Sequence, residues 1–403
     1  MSFKKILMAV ESDFNLTHIG VLRVIRYHYN NLVARGHSVT LATYKEGKWI
    51  TCSTLEAARA ILSDTRKLQF QAPYWQSGTA SRAGLAEVRP HEDGTPILWD
   101  GEAVVPEQFD ESILTCPWLC SQFGKAIADS RFSVGIVYDM VPNLLALGIL
   151  RMPQFIHIYR FANEHHIGYD YFMRNVETIS CISESTRHDF IKLYGAHGDA
   201  EIDVCIPFAD FGSGTIQDDP SGQDVLMINV LDHRKNFSTA ASALKAAAAE
   251  KKLHVVIVGR ERLHKDDVLK FLSELSQVCA SVRWYRSPGD AQLQDLMTKA
   301  KVVFFPSFYE GLGLPILEAQ ARGVPVISSN VSSCGEINMN DTLASDPYDY
   351  KVFAKKLLDI FSGEVAFVNG AALRASQISH LNGKNQLFVS TTDDSISSGA
   401  RSA

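Results

Sequence analysis

Twice along this chain, short β-branched and apolar runs alternate with longer amphipathic stretches, and that alternation leaves few architectures open. Strand-like runs fall at 6–10, 38–43, 132–137 and 177–183, with a helix-like stretch at 21–34. The segment SESTRHDFIKLYG then reads as a helix, with Ser183 as N-cap and Gly195 as the closing C′ glycine. Residues 210–224 (DFGSGTIQDDPSGQD) are rich in Gly, Ser, Asp and Pro and read as a linker. The pattern then restarts, with strands at 225–230, 254–258, 282–285, 302–306 and 325–328. Helices are expected at 236–251, 266–278, 290–300 and 315–322. Strand followed by helix, repeated, implies βαβ units and parallel sheets. The expected fold is therefore α/β, with Rossmann-like domains at 1–210 and 211–375 facing across a cleft of the kind that binds ligands. Residues 376–403 form a C-terminal segment whose polar tail, from Ser390, is expected to be disordered. The less regular residues 44–120, with Trp75, Trp99 and Trp118, read as insertions in the first domain.

Composition narrows the class. Hydrophobic residues make up 46% and charged residues 21%, as in soluble globular proteins. A net charge of −6 argues against gripping nucleic acid through bulk charge. The most apolar stretch, 134–150, is interrupted by Asp139, Pro142 and Asn143, so no membrane span is expected. The opening MSFKKILMAVESDF lacks the long apolar core of a signal peptide and suits a buried strand. Seven scattered cysteines, an odd number, suggest reduced, buried thiols in a cytoplasmic protein. Cys116 and Cys120 have helical spacing, but no further metal ligands lie near them.

The chemistry concentrates in 302–336, VVFFPSFYEGLGLPILEAQARGVPVISSNVSSCGE. A buried strand leads into Pro306 and Ser307, then into Glu310, Gly311, Leu312, Gly313, Leu314 and Pro315, and a helix carrying Glu318. Pro315 suits a first helical turn, and Gly311 and Gly313 clear side chains ahead of it so that a ligand can approach the backbone. Free N–H groups at the helix start from Leu314 make an anion site fit for a diphosphate. A carboxylate beside a diphosphate is repelled unless it faces other groups, and hydroxyls are the natural partners. Glu310 in the loop would then hold sugar hydroxyls and Glu318 the ribose hydroxyls, which reads as a nucleotide sugar.

This segment resembles the Glu-x7-Glu signature of retaining glycosyltransferase family 4, which has the GT-B fold. DHRKNF (232–237) is similar to the family's phosphate-binding Arg-Lys-Asn stretch, and VVIVGR (255–260) to the strand and glycine before the next loop. CISESTRHDFIKLYG resembles the last helical unit of the first domain, and LASDPYDY the segment after the signature. The resemblance covers most of 130–375 and is stronger in the second domain. It implies that Lys235, helped by Arg234, contacts the donor diphosphate, that Glu310 contacts the sugar, and that Glu318 contacts the ribose. It adds Arg260 and Gly20 to the donor side, Gly20 standing where members carry a glycine-rich turn. Many members have an arginine five residues before the lysine; here that residue is Val230. Many also have a His-Asp pair near the reacting carbon, where this chain has Tyr138 and Asp139. Tyr138, Asp139 and His18 are the candidates for the acceptor side. His165 and His166 are candidates for acceptor-side residues or a metal pair, but adjacent histidines fall on different sides of a helix, which favours reading them as surface residues.

The implied activity is transfer of a hexosyl unit, such as mannose, glucose or rhamnose, with retained configuration. The donor would be a nucleotide sugar and the acceptor a glycan or lipid-linked glycan, as in O-antigen or capsule synthesis. The implied location is cytoplasmic, with peripheral contact at the inner membrane. No Asp-x-Asp motif is present, and no metal or other cofactor is expected. Two alternatives are a non-catalytic binder on a degenerate GT-B fold and a phosphorylase or sucrose-synthase-like enzyme.

Overall fold

A computed structural model of the chain describes residues 3–14, 19–52, 72–77, 97–152, 158–207 and 222–364. The expected linker core, His18 and the tail from Ser390 lie outside these residues.

The described strands are β1 (Lys5–Ala9), β2 (Ser38–Lys45), β3 (Lys48–Thr51), β4 (Trp75–Gln76), β5 (Ala103–Val104), β6 (Glu111–Leu114), β7 (Val134–Val137), β8 (Thr178–Cys181), β9 (Glu201–Val204), β10 (Asp224–Ile228), β11 (His254–Val258), β12 (Ser281–Tyr285), β13 (Ala300–Phe305), β14 (Val326–Ser329) and β15 (Ala344–Ser345). They build two sheets, in the orders β5-β3-β2-β1-β6-β7-β8-β9 and β15-β14-β13-β10-β11-β12-β4. From β2 through β9 the first sheet is parallel, with β1 flanked by β2 and β6. The second is parallel from β15 to β12. Central strands such as β13 (AKVVFF) are almost wholly apolar because helices cover both faces of a parallel sheet.

The described helices are α1 (Ile19–Ala34), α2 (Leu119–Ala128), α3 (Val141–Ala146), α4 (Ile158–Asn175), α5 (Glu184–Tyr194), α6 (Phe237–Ala248), α7 (Lys265–Val278), α8 (Asp290–Thr298), α9 (Leu314–Gln320), α10 (Ser332–Ile337) and α11 (Tyr350–Ser362). Ser183 caps α5 as expected, its hydroxyl accepting from the Thr186 amide. Gly195 closes that helix at φ −57°, in the right-handed region, so its freedom to turn left-handed is not used.

One buried apolar cluster runs through both halves, joining Ile6, Met8, Ile136 and Tyr138 to Leu226, Phe305, Leu312 and Ile316. The halves also exchange chain. β4, expected among insertions of the first domain, pairs antiparallel with β12 at the edge of the second sheet. Its neighbour Tyr74 packs edge-on against Trp284 at 5.0 Å, and its position also places it 5.8 Å from the Arg286 guanidinium. An edge strand offers unpaired N–H and C=O groups to any extended segment that reaches it, which local patterning does not reveal. Among the described residues, no helix is long and apolar enough to cross a membrane. All seven cysteines are free and buried.

Candidate functional site

In open α/β sheets, loops at the carboxyl ends of the strands gather ligand-binding groups. The loop after β10 holds Asp232 to Asn236. Asp232 caps a short 3-10 turn by accepting from the Arg234 amide at 2.8 Å. Asn236 is left-handed, at φ 61°, and its amide donates to the carbonyls of Pro306 and Pro347. That ties the cationic turn to the loop after β13. The second loop is held by its own bonds: Glu310 N–H donates to the Ser332 hydroxyl and the Ser333 hydroxyl donates to the Glu310 carbonyl.

These tethers bring the three principal residues together. Lys235 Nζ donates to Glu310 Oε1 at 2.5 Å. Arg234 Nη1 donates to Glu310 Oε2 at 2.7 Å and to the Tyr309 carbonyl at 2.8 Å. Lys235 also lies 4.7 Å from the Phe305 ring centre. Glu310 and Lys235 are buried, at 6% and 7% exposure, so neither relies on water for its charge. Burial pushes the Glu310 carboxyl up, but Arg234 and Lys235 outweigh it and hold the group down at about 2. Burial lowers the Lys235 ammonium, with Glu310 opposing the shift. Burial also lowers Arg234, which Glu310, Asp232 and Asp139 more than reverse.

Glu310 and Glu318 face different partners. Glu318 Oε1 accepts from Arg23 Nη1 at 2.6 Å, across the boundary between the halves. Its own carbonyl accepts from Arg322 Nη1 at 2.8 Å.

The glycines also have structural roles. A Cβ on Gly311 would lie 2.1 Å from the Tyr138 carbonyl oxygen, so this glycine admits the first domain's backbone. Gly313 is left-handed at φ +83° and forms the N-cap of α9. Leu312 is buried in the shared core and Leu314 packs partly buried against it. The helix after them has seven residues, Leu314–Gln320. So short a helix has little macrodipole, and the positive charge at the site comes chiefly from Arg234 and Lys235. Gly20 lies in the first turn of α1, and a Cβ there would meet nothing within 4 Å. Arg260 follows β11 and donates to the Ser287 hydroxyl at 2.8 Å, at the end of β12.

On the first domain, Tyr138 and Asp139 follow β7 and border the signature loop through Gly311. The Tyr138 hydroxyl is buried and is pushed well above its ordinary range by that burial. Asp139 Oδ1 accepts from the Val141 amide at the start of α3. His165 Nδ1 lies 2.7 Å from the Phe161 carbonyl and His166 Nδ1 3.1 Å from the Tyr194 hydroxyl, on different sides of α4.

Sequence reasoning missed the residues that join the halves here. The Gly311 carbonyl accepts from the hydroxyls of Ser183 and Thr186. Glu336 accepts from the amides of Glu184 and Ser185 at the start of α5. Tyr309 donates to Asp189 at 2.6 Å. Arg23 is the other omission; the signal was its i,i+3 partner Arg26, which puts two cations on one face of α1 just after Gly20. Among the described residues, no group of three or more His, Cys, Asp or Glu is placed to hold a metal ion.

Two parallel-rich α/β sheets, meeting through the loops at their strand ends, define the class: the fold is GT-B. Residues 216–375 match the sequence model of the family described as Glycosyl transferases group 1, and so include Arg234, Lys235, Glu310 and Glu318. The chain is similar to O-antigen chain mannosyltransferase B of Escherichia coli, 34% identical over 162 residues, or 39% of this chain and 42% of that protein. It is also similar to the serotype-specific mannosyltransferase WbdA of Escherichia coli, 22% identical over 311 residues, or 70% of this chain and 37% of that one. The chain thus spans about two-fifths of the length of these curated relatives. Two solved structures share the fold. A mutant of S. aureus TarM in complex with Fondaparinux, alpha-GlcNAc-glycerol and UDP has a TM-score of 0.62, with 12% identity, covering 93% of this chain and 96% of that one. Sucrose-phosphate synthase from Thermosynechococcus elongatus has a TM-score of 0.61, with 15% identity, covering 94% and 95%.

Proposed function

We propose that this chain is a retaining glycosyltransferase of family 4. It moves a hexosyl unit from a nucleotide sugar to a glycan or lipid-linked acceptor in surface-polysaccharide synthesis, such as that of O-antigen. The observation that carries the reading is the triad of half-buried Arg234 with buried Lys235 and Glu310, in the loops after β10 and β13. Two cations sharing one carboxylate form a site that a diphosphate can enter by exchange. The phosphates take over the cations, and the freed Glu310 turns to sugar hydroxyls. The mannosyltransferase relatives favour mannose among the candidate sugars.

In the reaction, the bond between the anomeric carbon and the phosphate oxygen breaks, and a bond to the acceptor oxygen forms on the same face. The acceptor proton passes to the departing phosphate. Arg234 and Lys235 stabilise the charge growing on that phosphate, as preorganised cations do at a leaving group. Glu318 holds the ribose hydroxyls, and Gly20, Arg260 and the 311–314 backbone border the donor. Asp139 and the Tyr138 backbone border the acceptor side, to which His18 also belongs in this reading. The cations meet the charge demand without a metal. The protein works in the cytoplasm, with peripheral contact at the membrane that holds the acceptor.

A thermal-shift panel of nucleoside diphosphates and nucleotide sugars, followed by donor turnover, tests the reading. A ligand at 100 times its dissociation constant stabilises the folded state by about 2.7 kcal/mol. At least one nucleoside diphosphate should raise the melting temperature, and its sugar conjugate should be consumed. Binding of none would contradict the proposal.

A further inference from the structure

Arg23 belongs to α1 in the first half, yet it lies between two carboxylates of the second. Its Nη1 is 2.6 Å from Glu318 Oε1 and its Nη2 3.3 Å from Asp290 Oδ1. Arg26, one turn along the same helix, places Nη1 3.6 Å from Asp290 Oδ2. Asp290 opens α8 and Glu318 lies within α9. The side chain of Arg23 is 20% exposed and that of Glu318 8%. In a pair so largely withdrawn from water, truncating one member leaves the other's charge uncompensated.

We propose that Arg23 is a donor-positioning residue supplied by the opposite domain. It fixes the Glu318 carboxylate, ionised and aimed, for the two ribose hydroxyls of the donor. The inference rests on the assignment of Glu318 to the ribose. A carboxylate has about four lone-pair sites on two oxygens, so it accepts from a guanidinium and from hydroxyls together. Held by Arg23, it needs no reorientation when the ribose arrives. The arrangement also makes ribose recognition depend on the two halves being together, since the guanidinium and the carboxylate come from helices of different halves. Asp290 in turn keeps Arg23 extended toward Glu318, and Arg26 shares the charge of Asp290.

The test separates action through the ribose from direct phosphate binding and from general damage. Whichever of ADP, GDP and UDP binds the parent protein most tightly is titrated calorimetrically beside its 2′,3′-dideoxy counterpart, into parent, Arg23→Ala, Arg23→Lys and Glu318→Ala. Losing one charge-assisted hydrogen bond costs about tenfold in affinity. Arg23→Ala should therefore weaken the ribonucleotide about tenfold and leave the dideoxy form unchanged. Arg23→Lys should recover part of the loss, and with the sugar nucleotide the effect should fall on KM rather than kcat. Equal weakening of both nucleotides would overturn the proposal in favour of phosphate contact or structural damage. Tighter ribonucleotide binding would overturn it by making Arg23 a plug. Glu318→Ala reports on the underlying assignment separately: it should abolish the preference for the ribonucleotide. If that preference survives in Glu318→Ala, Glu318 does not bind the ribose and the inference falls with that assignment.

Discussion

Glu310 and Lys235 meet at 2.5 Å between Oε1 and Nζ, although 75 residues separate them in sequence. Arg234 takes the other carboxylate oxygen, so one buried anion serves two cations. In the proposed reaction an entering diphosphate takes the place of that carboxylate and frees it for the sugar.

Replacing Glu310 with alanine should separate binding from turnover. Removal of a contact made in the transition state typically lowers kcat about 100-fold or more. Affinity for the nucleoside diphosphate should hold or rise, because the cations no longer have an internal partner. Steady-state kinetics and titration of the variant check both halves, and turnover at the parent rate would refute the sugar-side assignment.

The same triad should shape acid stability. The Glu310 carboxyl is held at about 2, against an ordinary 4.5. Between those values the unfolded chain takes up a proton that the folded chain refuses, so stability falls as pH falls through that window. The contribution is complete above about 4.5. Calorimetric melts of parent and Glu310→Gln across that window should show the smaller drop in the variant, which has no carboxyl to titrate at that position.

Much of this was legible in the chain. Strand and helix periods anticipated the second sheet from β10 to β14, because parallel strands covered on both faces read as unbroken apolar runs. Lys235, Glu310 and Glu318 stood out because their spacing accompanies a strand, a glycine turn and a helix. What stayed hidden was long-range pairing. Nothing near Gly311 announces that its missing Cβ admits the Tyr138 carbonyl. Nothing near Trp75 announces that β4 crosses to β12. Arg23 meets Glu318 across 295 residues, a contact set only when the two halves meet.

Tyr138 meets the Gly311 loop through its backbone, and burial holds its hydroxyl well above the ordinary range. Such a group cannot take a proton from an acceptor near neutral pH. Tyr138→Phe should keep kcat within about threefold, the scale of a change that disturbs no packing. Loss of activity far beyond that, with the fold intact, would give the hydroxyl a role in the reaction.

Metal dependence follows from the charge at the site. Magnesium binds through one or two carboxylates together with substrate phosphates. Here the Glu310 carboxylate is already held by Arg234 and Lys235. Sugar transfer should persist in excess EDTA, with slower product release as the largest effect. Complete loss with chelator and rescue by magnesium or manganese would place a metal beside Glu310.

The proposed reaction requires an exchange in which a donor diphosphate takes the place of Glu310 at Lys235. Its most direct test is calorimetric titration of parent and Lys235→Ala with a nucleoside diphosphate and with the matching free nucleoside. A charge-assisted bond to phosphate is worth about 1.5–3 kcal/mol, roughly 10- to 100-fold in affinity. That loss is expected for the diphosphate and almost none for the nucleoside. Equal loss for both, or none for either, would rule the exchange out.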